Sequence, residues 1–510
     1  MLLHEWLEQH ARNTPEKAAL VCESERISFG EIDARARALA ATLQAYGVQR
    51  GDRVAIYLEN CTEAVVSIFA TLKAGAVFMP VNPQTKADKL TYLLNDSEAR
   101  VLITSGILSN IAASAVEQAA SVAASVIVQP KSAEPVGGRT TLSYEDAIQA
   151  ANPYSTPPSI DQDLASIIYT SGSTGEPKGV MVTHLNMTSA ATSISTYLGL
   201  RNDDIIINVL PIAFDYGLYQ ILMASRVGAT VVLQRSLAFP TRVLETMVRE
   251  RVTVLPGVPT VFSMLLNLES LSSYDLSTLR MVTNTAAALS ETQIRDIREA
   301  FPQATLFSMY GLTECKRVSY LPPEQLDVRP MSVGRGMPNE EVWLVDESGK
   351  RLPNGHAGEL VVRGSNVMRG YWRKPKETAD RLKPGEIPGE MYLHTGDIFR
   401  TDMEGWLYFV GRKDDIIKSR GEKVSPREVE NVLYRLDGLL EAAVIGVSDP
   451  VLGQAVKAFV VLKQGFTYSE RDVIKHCLSH LESFMAPTHV AFLEALPRTD
   501  TGKISKRGLS

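Results

Sequence analysis

One stretch constrains this chain more than any other: Tyr169-Thr170-Ser171-Gly172-Ser173-Thr174-Gly175-Glu176-Pro177-Lys178-Gly179. It follows residues 165–169, an apolar, β-branched run with Ile167 and Ile168 that reads as a buried strand. Eight of its eleven residues are glycine or carry a hydroxyl, a composition poor for helix and for strand. It suits a loop whose backbone N–H groups and hydroxyls wrap an anion, with Lys178 supplying positive charge. The Walker A pattern is absent, because Gly172 and Gly175 stand too close together and Gly179 follows Lys178. A Ser/Gly surface linker is the bland alternative, but linkers rarely come straight after a buried strand.

The surrounding chain sets the frame for that loop. Ser28 and Glu31 form a capping-box pattern ahead of a helix with Ile32, Ala36, Leu39 and Leu43 on one face. Strands are expected at residues 53–58, 77–81, 101–104 and 126–128, with a helix from Thr62 to about Gly75. This βαβ rhythm implies α/β architecture with a mostly parallel sheet, where ligands sit at the carboxyl ends of strands. Alternation resumes from Ile205, with strands at 230–233 and 253–255. After Arg335 short strands and turns take over, at 342–345, 359–363 and 407–410, a small β-barrel-like part. From Lys413 a new unit begins: helix 426–436, strands 442–447 and 458–462, helix 469–481. The expected division is a large N-terminal domain, 1–412, and a small mobile α+β domain, 413–510.

With 510 residues the chain can hold several substantial cores, and its 45% hydrophobic and 22% charged residues are ordinary for a globular protein. The net charge of −6 and the lack of any basic block argue against nucleic-acid binding. Cys22, Cys61, Cys315 and Cys477 are scattered without metal-ligand spacing, which fits free thiols in a cytoplasmic protein. The first fifteen residues read as a helix with Leu3, Trp6 and Leu7 on one face, and no run is long enough to span a membrane.

Four further stretches are rich in residues that make poor core. Tyr310-Gly311-Leu312-Thr313-Glu314 offers an aromatic platform, a hydroxyl and a carboxylate. Tyr392-Leu393-His394-Thr395-Gly396-Asp397 ends an expected strand with an acid after a glycine, suited to gripping vicinal hydroxyls. Residues 411–422 crowd Arg412, Lys413, Asp414, Asp415, Lys418, Arg420 and Glu422 around Gly411 and Gly421. Pro497-Arg498-Thr499-Asp500-Thr501-Gly502-Lys503 puts a lysine on a tight turn. Each alone has a plain structural reading as core tyrosine, turn acid, solvated linker or tail lysine.

The five stretches, in this order and spacing, resemble the core motifs of the adenylate-forming superfamily. That superfamily includes acyl- and aryl-CoA ligases, the adenylation domains of peptide synthetases, and firefly luciferase. The resemblance runs from Leu72-Lys73-Ala74-Gly75-Ala76-Val77 to Lys503. It implies that Thr170, Ser171, Gly172, Ser173, Thr174, Gly175 and Lys178 hold the ATP phosphates. Tyr310 and Gly311 would pack on adenine, Thr313 would touch phosphate, and Glu314 would help hold Mg²⁺. Asp397 would bind the ribose hydroxyls with Arg412 assisting, and Asp414 would be the hinge. Lys503 would bridge the acid carboxylate and the α-phosphate. A carboxylate attacking the α-phosphorus meets repulsion between anions, which Lys503 and Mg²⁺ can relieve. No base is required, since the carboxylate is already ionised. The implied products are an acyl-adenylate and pyrophosphate, with the acyl group then passed to a thiol as the small domain turns and brings Gly421 to the site. Retention of both Glu314 and Lys503 argues against a degenerate nucleotide-binding relative. Cys315, beside Glu314, reads as packed and inert.

The acid and the acceptor stay open on sequence. Phe214-Asp215 is similar to peptide-synthetase adenylation domains, where the matching aspartate pairs with a substrate ammonium. A cation or hydrogen-bond donor from the protein itself is an equal alternative. Residues 417–430 instead resemble the CoA-ligase version of their motif. Thr283-Asn284-Thr285-Ala286-Ala287-Ala288 departs from the Gly/Ala-Pro pattern of many relatives, with Asn284 and Thr285 expected to line the acyl pocket. The acceptor is therefore either coenzyme A or the phosphopantetheine of a free-standing carrier protein, with CoA favoured.

Overall fold

The computed structural model describes residues 1–130, 135–171, 176–235, 237–285, 289–413, 415–419, 422–449, 453–481, 483–499, 504–506 and 508–509. Among these, no helix is long and apolar enough to cross a membrane.

Two large sheets occupy the first two thirds of the chain. In the eight-stranded sheet, Leu164–Ser171, Val77–Val81, Arg53–Tyr57, Ala99–Ser105, Ala124–Val128 and Thr140–Ser143 run parallel in that spatial order. Their β-branched, fully buried runs are what a sheet covered on both faces demands. Helices Phe29–Ala45 and Thr62–Lys73 pack against one another beside it. The capping box opens the first of these: Ser28 Oγ accepts from Glu31 N at 3.2 Å, and Ser28 N donates to Glu31 at 2.8 Å. Such a cap contributes about 1 kcal/mol. At the far edge, Pro177–Thr183 pairs antiparallel with Leu164–Ser171, with Thr170 opposite Lys178. Thr170, Ser171, Lys178 and Gly179 are thus paired strand residues, whereas the sequence suggests a loop over 170–179. Gly370–Tyr371 then adds to Val180 and Met181 on the outer side.

The nine-stranded sheet has Ile205–Asn208, Thr230–Leu233, Val254–Gly257, Met281–Asn284 and Thr305–Tyr310 as its parallel centre. The chain's first strands, Ala18–Cys22 and Glu25–Ser28, close one edge of this second sheet rather than the first. Helix Leu3–Asn13 is seated by ion pairs: buried Lys73 bonds Glu8 and lies 2.7 Å from Asp33. A wholly buried lysine is tolerated because two carboxylates meet it.

Residues 340–412 form an antiparallel five-stranded sheet from Glu340–Val345, Ala357–Gly364, Met391–Thr401, Leu382–Pro384 and Leu407–Arg412. Asp397 lies inside Met391–Thr401, opposite Arg412, and does not end the strand as the sequence pattern suggests. The strand continues because a bulge after Ile398 restores its apolar face, with Phe399 wholly buried.

A fourth sheet is confined to residues 417–492: Ile417–Ser419, Glu422–Val424, Leu439–Asp449, Gly453–Leu462 and His489–Phe492. Helices Pro426–Leu433 and Glu470–Leu478 cover it, and its buried cluster draws on this segment alone. The architecture is therefore α/β throughout, with two large sheets, a small antiparallel part and a smaller C-terminal α+β unit.

Candidate active site

The carboxyl ends of both large sheets and the antiparallel strand carrying Asp397 bring distant segments together. Tyr310 ends strand Thr305–Tyr310, and its hydroxyl donates to Asp397 Oδ2 at 2.5 Å. The ring meets Phe399 edge-on at 4.8 Å between centroids. Burial first, then the Asp397 charge, pushes the Tyr310 phenol well above its ordinary range, so it remains a donor. Asp397 is 8% exposed. Its Oδ1 is buried without a hydrogen-bond partner among the described residues, and Arg412 Nε stands 3.4 Å away. Burial raises the Asp397 pKa, against the opposing pull of Arg412 and Tyr310. The free lone pairs on Oδ1, beside an aromatic ring, fit the vicinal hydroxyls of a ribose.

Two glycines permit this assembly. A Cβ on Gly396, held at φ +71°, would collide with the Arg381 guanidinium. A Cβ on Gly311 would meet Lys316 O at 2.6 Å and Arg317 Cα at 2.8 Å.

Glu314 and Lys178 flank one residue that sequence reasoning missed. Tyr371 donates its hydroxyl to Glu314 Oε1 at 2.7 Å, and Lys178 Nζ lies 5.6 Å from the Tyr371 ring centre. Strand pairing of Tyr371 with Val180 brings the ring beside Lys178. The one available signal was the aromatic pair Tyr371-Trp372 held between Gly370 and Pro375. Glu359 was missed too. It accepts from Gly396 N at 3.0 Å and pairs with Lys413 at 3.2 Å, tying the Asp397 turn to the start of the C-terminal segment. Burial works to raise its carboxyl, but His394, Lys413 and Gly396 outweigh burial and hold it at about 2.

Among the expected phosphate residues, Thr170 and Ser171 sit on the hairpin strand, opposite Lys178 and Pro177. Gly172, Ser173, Thr174 and Gly175 lie outside the described residues, as do Asp414, Gly421, Lys503 and Ala286-Ala287-Ala288. Thr313 is half-buried on the turn leading to Glu314. Among the described residues no cluster of three or more His, Cys, Asp or Glu side chains forms a metal cage. A lone Glu314 suits Mg²⁺, which takes one or two carboxylates and fills its remaining positions with water and phosphate oxygens. Cys315 is fully buried, and burial pushes its thiol well up, as an inert cysteine requires.

The expected acid-binding residues form an adjoining wall. Phe214 caps helix Asp215–Val227, and Asp215 opens it. Asp215 lies 3.6 Å from Lys316 Nζ, whose ammonium also stands 4.4 Å from the Tyr219 ring centre. Asp215 thus has a cationic partner from the protein. Tyr216 bonds the carbonyl and hydroxyl of Thr283 at 2.9 and 2.7 Å. Beside it, Asn284 and Thr285 are buried at the carboxyl end of strand Met281–Asn284.

Tyr310 on buried Asp397, with Arg412 beside it, and Tyr371 on Glu314, with Lys178 beside it, are the contacts that this region assembles. The chain belongs to the AMP-binding enzyme family, whose model matches residues 7–372, and the family's C-terminal domain matches 428–503. It is an ATP-dependent, AMP-forming acid–thiol ligase of the acyl-CoA synthetase type. It is 32% identical to a long-chain-fatty-acid–CoA ligase of Bacillus subtilis, covering 99% of this chain and 93% of that one. It is 33% identical to a feruloyl-CoA synthase of Amycolatopsis, covering 99% and 97%. Among solved structures, the anthranilate CoA ligase AuaEII in complex with anthranoyl-AMP matches with a TM-score of 0.90 and 29% identity, covering 99% and 95%.

Proposed function

We propose that this enzyme joins a small carboxylic acid to coenzyme A by way of an acyl-adenylate, within the cytoplasm. One observation carries the assignment of its site: Tyr310 and Arg412 meet Asp397 through a hydrogen bond and an ion pair, and Tyr371 bonds Glu314 beside Lys178. Tyr310 and Gly311 receive adenine, and Asp397 grips the ribose with Arg412 balancing its charge. Lys178, Thr313 and the loop 170–175 hold the phosphates. Glu314, oriented by the Tyr371 hydroxyl, is the residue that would hold Mg²⁺, which supplies charge neutralisation at the phosphates when bound. Lys503 is assigned to the carboxylate and α-phosphate, where positive charge lowers the repulsion between the two reacting anions. Once pyrophosphate has left, the division at residues 412 and 413, with Asp414 as hinge, lets the C-terminal unit turn and bring Gly421 toward the thiol.

CoA is favoured over a carrier-protein thiol because residues 417–430 resemble the CoA-ligase pattern. Lys316 beside Asp215 supports the same choice, since an amino-acid ligase would need that carboxylate for its substrate's ammonium. The test is acid-dependent pyrophosphate release with ATP and Mg²⁺, followed by CoA addition and mass spectrometry of the products. An acyl-CoA is expected. An amino-acid adenylate that yields no CoA adduct would overturn the choice of acceptor. Lys503→Ala should nearly abolish adenylate formation and spare thioester formation from supplied adenylate. Equal loss in both half-reactions would remove Lys503 from its role.

A further inference from the structure

Arg317 is the largest wholly buried side chain among the described residues, with 1% of its surface exposed. Its Nε and Nη2 atoms are buried without a hydrogen-bond partner among those residues. These two donors share one edge of the guanidinium and point the same way, the geometry that receives a carboxylate bidentately. The chain uses this edge in that manner elsewhere. Arg50 places Nε and Nη2 on the two oxygens of Asp163, and Arg280 does so on Asp204 at 2.7 and 2.5 Å.

The position of Arg317 says whose carboxylate is expected. Its guanidinium lies 5.2 Å over the Tyr216 ring, and the Tyr216 hydroxyl is bonded to Thr283. Its backbone packs against Gly311. Arg317 therefore stands between the start of helix Asp215–Val227, the carboxyl end of strand Met281–Asn284 and the turn carrying Glu314. This is the wall assigned to the acid.

A guanidinium stays charged at every working pH, and a buried charge is costly until an opposite charge meets it. None of the protein's own acids in this wall is hydrogen-bonded to Arg317 Nε or Nη2 among the described residues. Asp215 is paired with Lys316, so those charges offset each other. Glu340 accepts from Asn366 at 2.7 Å through Oε2, its Oε1 is buried without a hydrogen-bond partner among the described residues, and burial pushes its carboxyl well above the ordinary range, favouring the uncharged form. Tyr197, Tyr216 and Tyr219 are phenols that burial holds protonated, even against the lowering influence of Arg317. One positive charge is left over.

We infer that Arg317 is the specificity-determining residue for the acid and that the substrate is a dicarboxylic acid. One carboxylate is activated at the α-phosphate, and the other is received side-on by Arg317 Nε and Nη2. The inference rests on the acyl-adenylate reading above. It separates this chain from ligases for plain fatty acids, whose tails would leave the buried charge unmet.

The test compares pyrophosphate release by the full chain across straight-chain α,ω-dicarboxylic acids from malonic to suberic, phthalic acid, and the monomethyl ester of each. Fatty and aryl monoacids complete the panel. Each half-ester keeps the reacting carboxylate and nearly the shape of its diacid, but lacks the distal charge. One diacid should exceed its half-ester in kcat/KM by about 100-fold or more, the discrimination a built polar site gives. Arg317→Met should abolish or invert that ratio, and Arg317→Lys should keep part of it. The ratio is read within each variant, so partial loss of folded enzyme scales both rates and leaves it intact. Equal rates for diacid and half-ester, or an unchanged ratio in Arg317→Met, would overturn the role of Arg317. Release from monoacids alone would do the same and leave the ligase reading standing, whereas release from no acid would overturn both.

Discussion

The wall proposed for the nucleotide and the wall proposed for the acid meet at Gly311, yet they handle charge in opposite ways. On the nucleotide side, Asp397 has Tyr310 and Arg412, Glu314 has Tyr371, and Glu359 has Lys413 and Gly396. On the acid side, Asp215 and Lys316 offset one another while Arg317 keeps two buried donors free among the described residues. ATP is the nucleotide this ligase family uses, so a wall for it can be prepared group by group. The acid differs between the named relatives, and the charge on Arg317 is what we propose selects it here.

Four substitutions sharpen this contrast, from the largest expected effect to the smallest. Asp397→Ala removes the carboxylate assigned to the ribose and should weaken ATP binding by roughly 100-fold, a loss of about 3 kcal/mol. Calorimetric titration with ATP reads it, and an unchanged Kd would detach Asp397 from the nucleotide. Asp215→Asn leaves a nearly buried Lys316 without its carboxylate and should cost about 2 kcal/mol of stability by denaturant unfolding. If stability held while the KM for the acid rose sharply, Asp215 would belong to the substrate and the contrast would fail.

Tyr371→Phe keeps the ring beside Lys178 and deletes only the hydroxyl on Glu314. A drop of about tenfold in kcat/KM for ATP is expected, with a raised Mg²⁺ requirement. No change at any Mg²⁺ concentration would make that hydrogen bond merely structural. Glu359→Gln should destabilise the fold by about 1 kcal/mol at neutral pH, less than its full shift implies because the site is partly solvated. The folded carboxyl titrates at about 2, below its ordinary 4.5. Its contribution is therefore fully present above 4.5 and is lost as pH falls through about 2. A difference between wild type and variant that stayed constant across that window would exclude the Glu359 cluster as its source.

The two walls also differ in how far sequence reveals them. Tyr310, Glu314, Asp397, Arg412 and Lys178 stand in short motifs whose composition makes poor core; each alone has a plain structural reading, and their common order and spacing makes them legible. Tyr371 and Glu359 do not, because each acts through a partner more than fifty residues away, brought close by strand pairing. Arg317 gives even less signal. An arginine two residues after a cysteine reads as surface, and only the fold shows it to be buried beside Tyr216. The sequence pattern suggests a loop over 170–179 after a buried strand, yet Thr170 and Ser171 belong to that strand and the returning strand Pro177–Thr183 pairs with it; a proline start and a lysine hide that pairing.

What sequence determined by itself was the kind of structure and the kind of chemistry. Apolar periodicity dictates the βαβ layers, because backbone geometry ties hydrophobic spacing to helix or strand locally. The motif set points to an ATP-dependent ligase through its resemblance to the adenylate-forming superfamily, which five stretches in one order and spacing make specific. Tertiary structure alone decided which strands join which sheet, where Asp397 falls along its strand, and which charges find partners. Those outcomes depend on contacts between residues hundreds of positions apart. The energy of a charge such as Arg317 is set by its burial and its neighbours, and neither exists until the chain has folded.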